Sequence, residues 1–479
     1  APPKIAEKIQ DALAPYLEQE KERLSASAQG PYLNFFFTPK CLGQDVLTPI
    51  VTGDYFQREL SGTTPKTMVE YSQPNTHKVL HVGHMRNLCL GNALVKLLEY
   101  GGYDVISVTY PGDVGTHVAK CLWYLKKHQL TPPEGESEKG AWLGEIYAKA
   151  NMLLEDEKGT PKEEQNRQEL TSILKQLENP EIKGEYYELW QETRQWSIEL
   201  MQEAYKWAGV DFNRWFFESE VDAPSLHFAK QLYEEGKLTK DDGAIGMDLN
   251  DANLGFCLLI KSDGTGLYAT KDVELARKKF EEFGIEQSVY VVDNRQALHF
   301  KQVFEVLKRI GFPQAENCYH LQYDVVELPE GAMSSRKGNI VPLMDLVHSM
   351  EETITSRYLE KYRGEWSDEE IERTARQVAN GAIKYGMIRV DNNRKIVFDQ
   401  NEWLKLDGET GPYLQYVCAR IRSLCEKQGL DTYQSSKVDW SCLTAESEEA
   451  LMIKLMDFNH VAVNCAEKLK TLHMTSYLY

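Results

Sequence analysis

The stretch 67–108, TMVEYSQPNTHKVLHVGHMRNLCLGNALVKLLEYGGYDVISV, decides the fold. Residues 67–71 read as a strand, Pro74-Asn75 as a turn, and about 83–100 as a helix that turns Leu90, Leu94, Leu97 and Leu98 inward. Gly101-Gly102 ends that helix, and 104–108 is the next strand. Strand, glycine-containing turn, helix and strand make one half of a nucleotide-binding parallel sheet. His81-Val82-Gly83-His84 sits at the junction of strand and helix. A helix N-terminus already favours phosphate, Gly83 lets a ligand approach the backbone, and the two imidazoles can donate to a triphosphate as charge builds on it. Taken alone, histidines at i and i+3 fit an ordinary helix surface or a partial metal site equally well.

The second half of the signal lies about 250 residues on, in Met333-Ser334-Ser335-Arg336-Lys337-Gly338-Asn339. This cationic, glycine-containing loop follows a late strand of the same predicted sheet. Positive groups on such a loop can clamp a pyrophosphate leaving group. Its plain alternative is a solvated basic turn. The two loops in this order make that alternative a poor account of the pair.

Outward from this core, residues 1–66 read as a small N-terminal α/β module, with Ile5, Ile9, Leu13 and Leu17 on one helical face kinked near Pro15 and a strand at 33–37. The catalytic domain is expected at 67–341. It is interrupted by a charged, helical insertion at about 117–250, and its sheet is expected to resume at 256–260, 288–293 and about 319–327. Residues 342–479 read as a C-terminal helical bundle. The expected fold is therefore α/β: a Rossmann-type parallel sheet with a helical insertion between two smaller modules.

Composition narrows the class. Hydrophobic residues at 42% and charged residues at 27% fit a globular chain of two to four domains. No apolar run approaches the roughly eighteen residues of a membrane-spanning helix. The nine cysteines are scattered singly with no CxxC pair, so neither zinc nor a disulfide framework is expected and a reducing, cytoplasmic location fits. A net charge of −19 argues against indiscriminate nucleic-acid binding. It leaves room for one specific RNA held on a local basic track.

The paired loops resemble the HIGH and KMSKS signatures of class I aminoacyl-tRNA synthetases. The wider context, Glu70-Tyr71-Ser72-Gln73-Pro74-Asn75, Tyr110-Pro111-Gly112-Asp113, Tyr268-Ala269-Thr270-Lys271-Asp272 and Gly411-Pro412-Tyr413-Leu414-Gln415-Tyr416, is similar to the arginyl family over most of the chain. The resemblance implies arginine, ATP and tRNA(Arg) as substrates, Mg²⁺ entering with ATP, no resident metal, and a monomer. Glu70, Asp272 and Tyr268 would hold the guanidinium, which suits planar, bidentate acceptors, and Asn75 and Gln296 the amino-acid backbone groups. His81, Gly83, His84, Met333, Ser334 and Ser335 would serve ATP, with His81, His84, Lys78 and Lys337 supplying transition-state charge. Tyr413, Gln415, Tyr416 and Arg420 form the implied RNA strip, and the N-terminal module the contact to the tRNA elbow. Without the family, Glu70 at a strand end and Asp272 at a helix N-cap also fit structural roles. So do Tyr413 and Tyr416 as packing residues.

The chain departs from the family in two places. Ala332 and Ser335 stand where signature lysines are usual, so Lys78 is expected to replace their charge, and Gln73 stands where serine is common. The chain also stops at Tyr479, before the family's usual C-terminal end. Exposed apolar surface is therefore expected along Leu451, Leu455, Phe458 and Val461.

Overall fold

The structure is a computed structural model that describes residues 2–57, 62, 64–178, 184–329, 341–429 and 438–479. The chain forms two compact units: one holds Ala1–Gly62, Tyr100–Gly102 and Tyr416–Glu467, the other Thr63–Glu99, Tyr103–Gln415 and Lys468–Tyr479. The stretch after 342, expected as a single bundle, is thus shared between them.

In the first unit, helix α1 (Pro2–Gln19) continues through Pro15. It lies against an antiparallel hairpin of β1 (Leu24–Gln29) and β2 (Tyr32–Phe37). Short helices after the hairpin bury Leu42 and Val46 against Met452. Of the four apolar positions expected to be bare, Leu451 is exposed, whereas Leu455 packs on this cluster and Phe458 sits edge-on to Phe56 and Tyr100.

The second unit is built on a five-stranded parallel sheet, in the order β10 (Cys318–Tyr323), β9 (Gln287–Asp293), β3 (Thr67–Glu70), β4 (Val105–Thr109), β5 (Arg214–Trp215). β3 is buried at all four positions, as a central parallel strand covered on both faces must be. The chain runs from β3 to β4 on one side and returns through β9 on the other. The switch point of the sheet therefore lies between the carboxyl ends of β3 and β9, where a ligand crevice is expected in such folds. Helix α2 (Val82–Tyr100) leaves that end, and Gly102, at φ 90°, makes the turn back into β4.

Two expectations about the sheet are corrected. The strand β8 (Phe256–Ile260) does not belong to it but closes a separate antiparallel sheet with β6 (Thr239–Asp241) and β7 (Ala244–Asp248). The helical insertion also ends before 250, because β5 has already rejoined the parallel sheet at Arg214–Trp215. Four helices, Thr116–Lys127, Glu136–Asp156, Lys162–Glu178 and Glu185–Ala208, make up the insertion around Leu122, Trp123, Leu143, Ile146 and Trp190.

Candidate active site

A cavity of about 450 Å³ opens at the switch point. It gathers Glu70, Gln73, Asn75, His84, Glu218, Tyr268, Asp272, Asp293, Gln296 and His299 from segments distant in sequence. The five residues expected around arginine, Glu70, Asn75, Tyr268, Asp272 and Gln296, all line this one space.

The loop after β3 is held in an unusual conformation. Ser72 and His77 both adopt left-handed backbone angles, φ 56° and 60°, which cost a non-glycine residue free energy unless its surroundings fix them. Here they do. The Ser72 amide donates to Asn87 Oδ1 at 2.5 Å, and the buried His77 ring lies between the hydroxyls of Thr76 and Thr193 at 2.9 and 2.8 Å. Burial pushes His77 down to about 3, so it stays neutral. Gly112 completes the turn, since a Cβ there would come within 2.3 Å of Asn75 Oδ1.

The first signature is built around its own hydrogen bonds. Gly83 N–H donates to His81 Nδ1 and His81 N–H to His84 Nδ1, each at 3.1 Å. With both Nδ1 atoms accepting, each neutral ring carries its proton on Nε2. Burial, then the charges of Arg295 and Lys78, push His81 down to about 4, and burial, with His81 and Lys78 nearby, also holds His84 well below the ordinary histidine value. Two neutral imidazoles, ring centroids 4.0 Å apart, thus offer Nε2–H donors. Gly83 is needed for a reason the sequence did not disclose: a Cβ there would press on the His81 ring at 2.9 Å.

Four carboxylates line the cavity, and each has a basic partner; that of Asp293 is Arg295. Glu70 contacts the Lys279 ammonium, and its other oxygen accepts from Gln73 Nε2 at 3.2 Å. Asp272 Oδ2 takes His299 Nε2 at 2.5 Å. Glu218 faces Lys271 at 3.4 Å, and Lys271 also reaches Asp222 at 2.9 Å. Burial pushes the Glu218 carboxyl up to about 7, against the pull of Lys271. His299 is raised: burial opposes its charge, but the hydrogen bond and negative charge of Asp272 together outweigh burial.

Asp272 is not a helix cap. Helix α3 of the site, Tyr268–Phe283, is capped at Leu267, and Asp272 lies one turn inside it. Tyr268 and Asp272 are consequently i and i+4 neighbours on one face, both turned to the cavity.

Sequence reading missed Glu218 and Arg295. Glu218 sits just after β5, a strand too short to show periodicity, and so was absorbed into the insertion. Arg295 grips Asp293 through two bonds of 2.9 and 2.8 Å beside His81. Buried Arg86, also unremarked, donates to the carbonyls of Asp324, Asp391 and Arg394 at 2.5, 3.2 and 2.8 Å. It ties the histidine helix to the end of β10.

The loop of Met333, Ser334, Ser335 and Lys337 lies outside the described residues. Its flanks do not. Before it, Val326–Glu327 pairs in parallel with Ile396–Val397. After it, Pro342 bridges His81 and Leu343 N–H donates to the Leu80 carbonyl at 2.8 Å. Lys78 stands 5.1 Å from the Tyr147 ring, near enough to both signature histidines to depress them.

The expected RNA strip divides. Gln415 Nε2 is taken by the Gln377 carbonyl at 2.9 Å and its side chain lies over Gly381, so it joins two helices instead of facing outward. Tyr413 is half-buried beside Tyr479. Tyr416 is exposed, and Arg420 donates to its hydroxyl at 3.0 Å.

The fold and the site thus set a paired-imidazole helix N-terminus beside a carboxylate-lined cavity at the switch point of a parallel sheet. Residues 48–400 match the family described as tRNA synthetases class I (R), catalytic domain, and residues 414–479 match the DALR anticodon binding domain. Over its whole length the chain is 58% identical to an arginine–tRNA ligase of Bdellovibrio bacteriovorus, covering 80% of it, and 34% identical to one of Treponema denticola, covering 81%. Its fold superposes on the Thermus thermophilus arginyl-tRNA synthetase with a TM-score of 0.79 at 25% identity, covering all of this chain and 81% of that one. The chain belongs to the arginine–tRNA ligase family.

Proposed function

We infer that the chain activates L-arginine with ATP to arginyl-adenylate, releasing pyrophosphate, and passes the arginyl group to tRNA(Arg), releasing AMP. The observation that carries this reading is a single cavity holding Asp272, Glu218, Glu70 and Tyr268 at the switch point, with His84 on its wall. A guanidinium presents five donors in a plane. Asp272 and Glu218 supply bidentate acceptors for it, and the Tyr268 hydroxyl a further contact. Asn75 and Gln296 hold the amino-acid backbone groups.

The arginine carboxylate attacks the α-phosphate of ATP in line, and pyrophosphate leaves. A ribose hydroxyl of the terminal tRNA adenosine then attacks the adenylate carbonyl, and AMP leaves. No protein nucleophile is needed, so the protein's share is positioning and charge stabilisation. The Nε2–H groups of His81 and His84 donate to the phosphates, and Lys78, Lys337 and the loop of Met333, Ser334 and Ser335 attend the leaving group. Among the described residues no group of three His, Cys, Asp or Glu side chains is arranged to hold a metal. Mg²⁺ enters with the nucleotide, held mainly by phosphates and water.

RNA binds through Tyr416, with Arg420 beside it, and through Tyr32, Phe35, Phe36 and Phe37 of β2, whose exposed rings are suited to stacking. No helix among the described residues is long and apolar enough to cross a membrane; a cytoplasmic monomer fits this reading. Arginine-dependent ATP–pyrophosphate exchange, run with and without cognate tRNA, tests it. Exchange that needs both arginine and tRNA is expected; exchange driven by another amino acid overturns the assignment.

A further inference from the structure

Lys279 lies beside the site and has no part in the proposed chemistry. It lies two turns beyond Asp272 on the same helix, and its side chain is fully enclosed, with 0% exposure against 4% for Glu70. An ammonium without water must be satisfied by the protein. Two partners are seen here: the Glu70 carboxylate, in direct contact, and the face of the Tyr290 ring, 4.1 Å from Nζ. On the other side of Glu70, Gln73 Nε2 donates at 3.2 Å, and Gln73 Oε1 in turn accepts from Asn87 Nδ2 at 3.2 Å. Asn87 also donates to the Val291 carbonyl at 2.7 Å and to the Tyr323 hydroxyl at 3.0 Å. Glu70 is thereby gripped at both oxygens by groups whose own positions are fixed.

We propose that Lys279 is a positioning residue for arginine recognition: it neutralises and aims Glu70 from beneath the cavity floor. The remaining lone pairs of Glu70 then face the ligand as preset acceptors. Gln73 acquires a purpose on this account. Its amide supplies the second hold on Glu70, which a serine side chain is too short to provide. Removing the ammonium would leave a buried carboxylate without its counter-charge, free to swing or to draw in water, and the arginine end of the cavity would lose its shape. The nucleotide end, built on His81 and His84, would not.

The proposal rests on the functional reading above, and the experiment separates the two. Exchange kinetics with tRNA present are measured for the unsubstituted chain, Lys279→Met, Lys279→Arg and Lys279→Met/Glu70→Gln. Lys279→Met is expected to raise the KM for arginine about tenfold or more while the KM for ATP stays within about twofold. Lys279→Arg, which keeps a cation able to grip a carboxylate, should hold the arginine KM within about threefold of the unsubstituted value. Should Lys279→Met not fold, the double variant, which buries no unpaired charge, carries the test with the same split between the two substrates. An arginine KM within about twofold of normal in Lys279→Met or in the double variant overturns the proposal. Equal loss in Lys279→Arg and Lys279→Met also overturns it, because the charge would then not be what matters. Absence of arginine-dependent exchange in the unsubstituted chain instead overturns the functional reading.

Discussion

The cavity has two unlike walls. On the strand side Glu70 and Lys279 are almost wholly enclosed, with side-chain exposures of 4% and 0%. On the helix side Asp272 and His299 keep 19% and 23%, and Glu218 and Lys271 11% each. An enclosed ion pair exchanges its partner only at the cost of stranding a charge. A half-open pair whose base is a titrating imidazole can let a ligand take that base's place. On the proposed reading the strand wall is therefore framework, and the helix wall receives the guanidinium. On the same reading arginine displaces His299 from Asp272.

Breaking the receiving wall should have the largest effect. Asp272→Asn removes a charged acceptor of the guanidinium, and arginine kcat/KM in the exchange assay should fall on the order of a thousandfold. A loss under about tenfold would mean the guanidinium lies elsewhere. His84→Ala strikes the nucleotide end: kcat should fall about a hundredfold, with the arginine KM little changed. A rise in the arginine KM matching the fall in kcat would erase the division between the two ends.

The contrast between the walls is sharpened by pH. His299 is raised by Asp272 despite burial, so its pairing contributes stability that is full below the ordinary histidine range and fades as pH rises through the raised value. Protonated His299 competes with guanidinium for Asp272. Glu218, pushed up to about 7 by burial, is in part protonated near neutrality. Both groups must lose a proton before arginine is held best, so the arginine KM should fall as pH climbs from about 6.5 to 8, by at most about tenfold per unit for each proton lost. In His299→Leu one of the two contributions disappears and the slope should halve; an unchanged slope would remove His299 from the account. The smallest effect is expected outside the cavity. Tyr416→Ala should raise the KM for tRNA about threefold and leave that for arginine alone, as loss of one exposed stacking contact predicts.

Much of this site was legible because its signals are local. The strand ending in Glu70 and the glycine before His84 stand in one continuous segment whose residue types state their own geometry, whereas Tyr268 and Asp272 entered by resemblance alone and share a helix face because that helix begins a turn earlier than expected. What escaped reading depends on contacts between segments. β5 is two residues long, so nothing in its periodicity showed that the sheet had resumed and that Glu218 would fall at a strand end. β8 has the apolar run of a buried parallel strand, yet it pairs antiparallel with β7, a distinction that composition does not carry. Lys279 reads as one more lysine on an amphipathic helix, and only packing reveals that it points inward. Gln415 was misjudged for the reverse reason: the notch at Gly381 that receives it is made by another helix.

The most direct test is a structure of the chain with arginine and a non-hydrolysable ATP analogue. The guanidinium should lie within about 3 Å of both Asp272 and Glu218, with the His299–Asp272 bond opened, the Lys279–Glu70 contact intact and the Nε2 atoms of His81 and His84 turned to the phosphates. Arginine bound away from Asp272, or held there with His299 still in place, would contradict the assignment of the two walls.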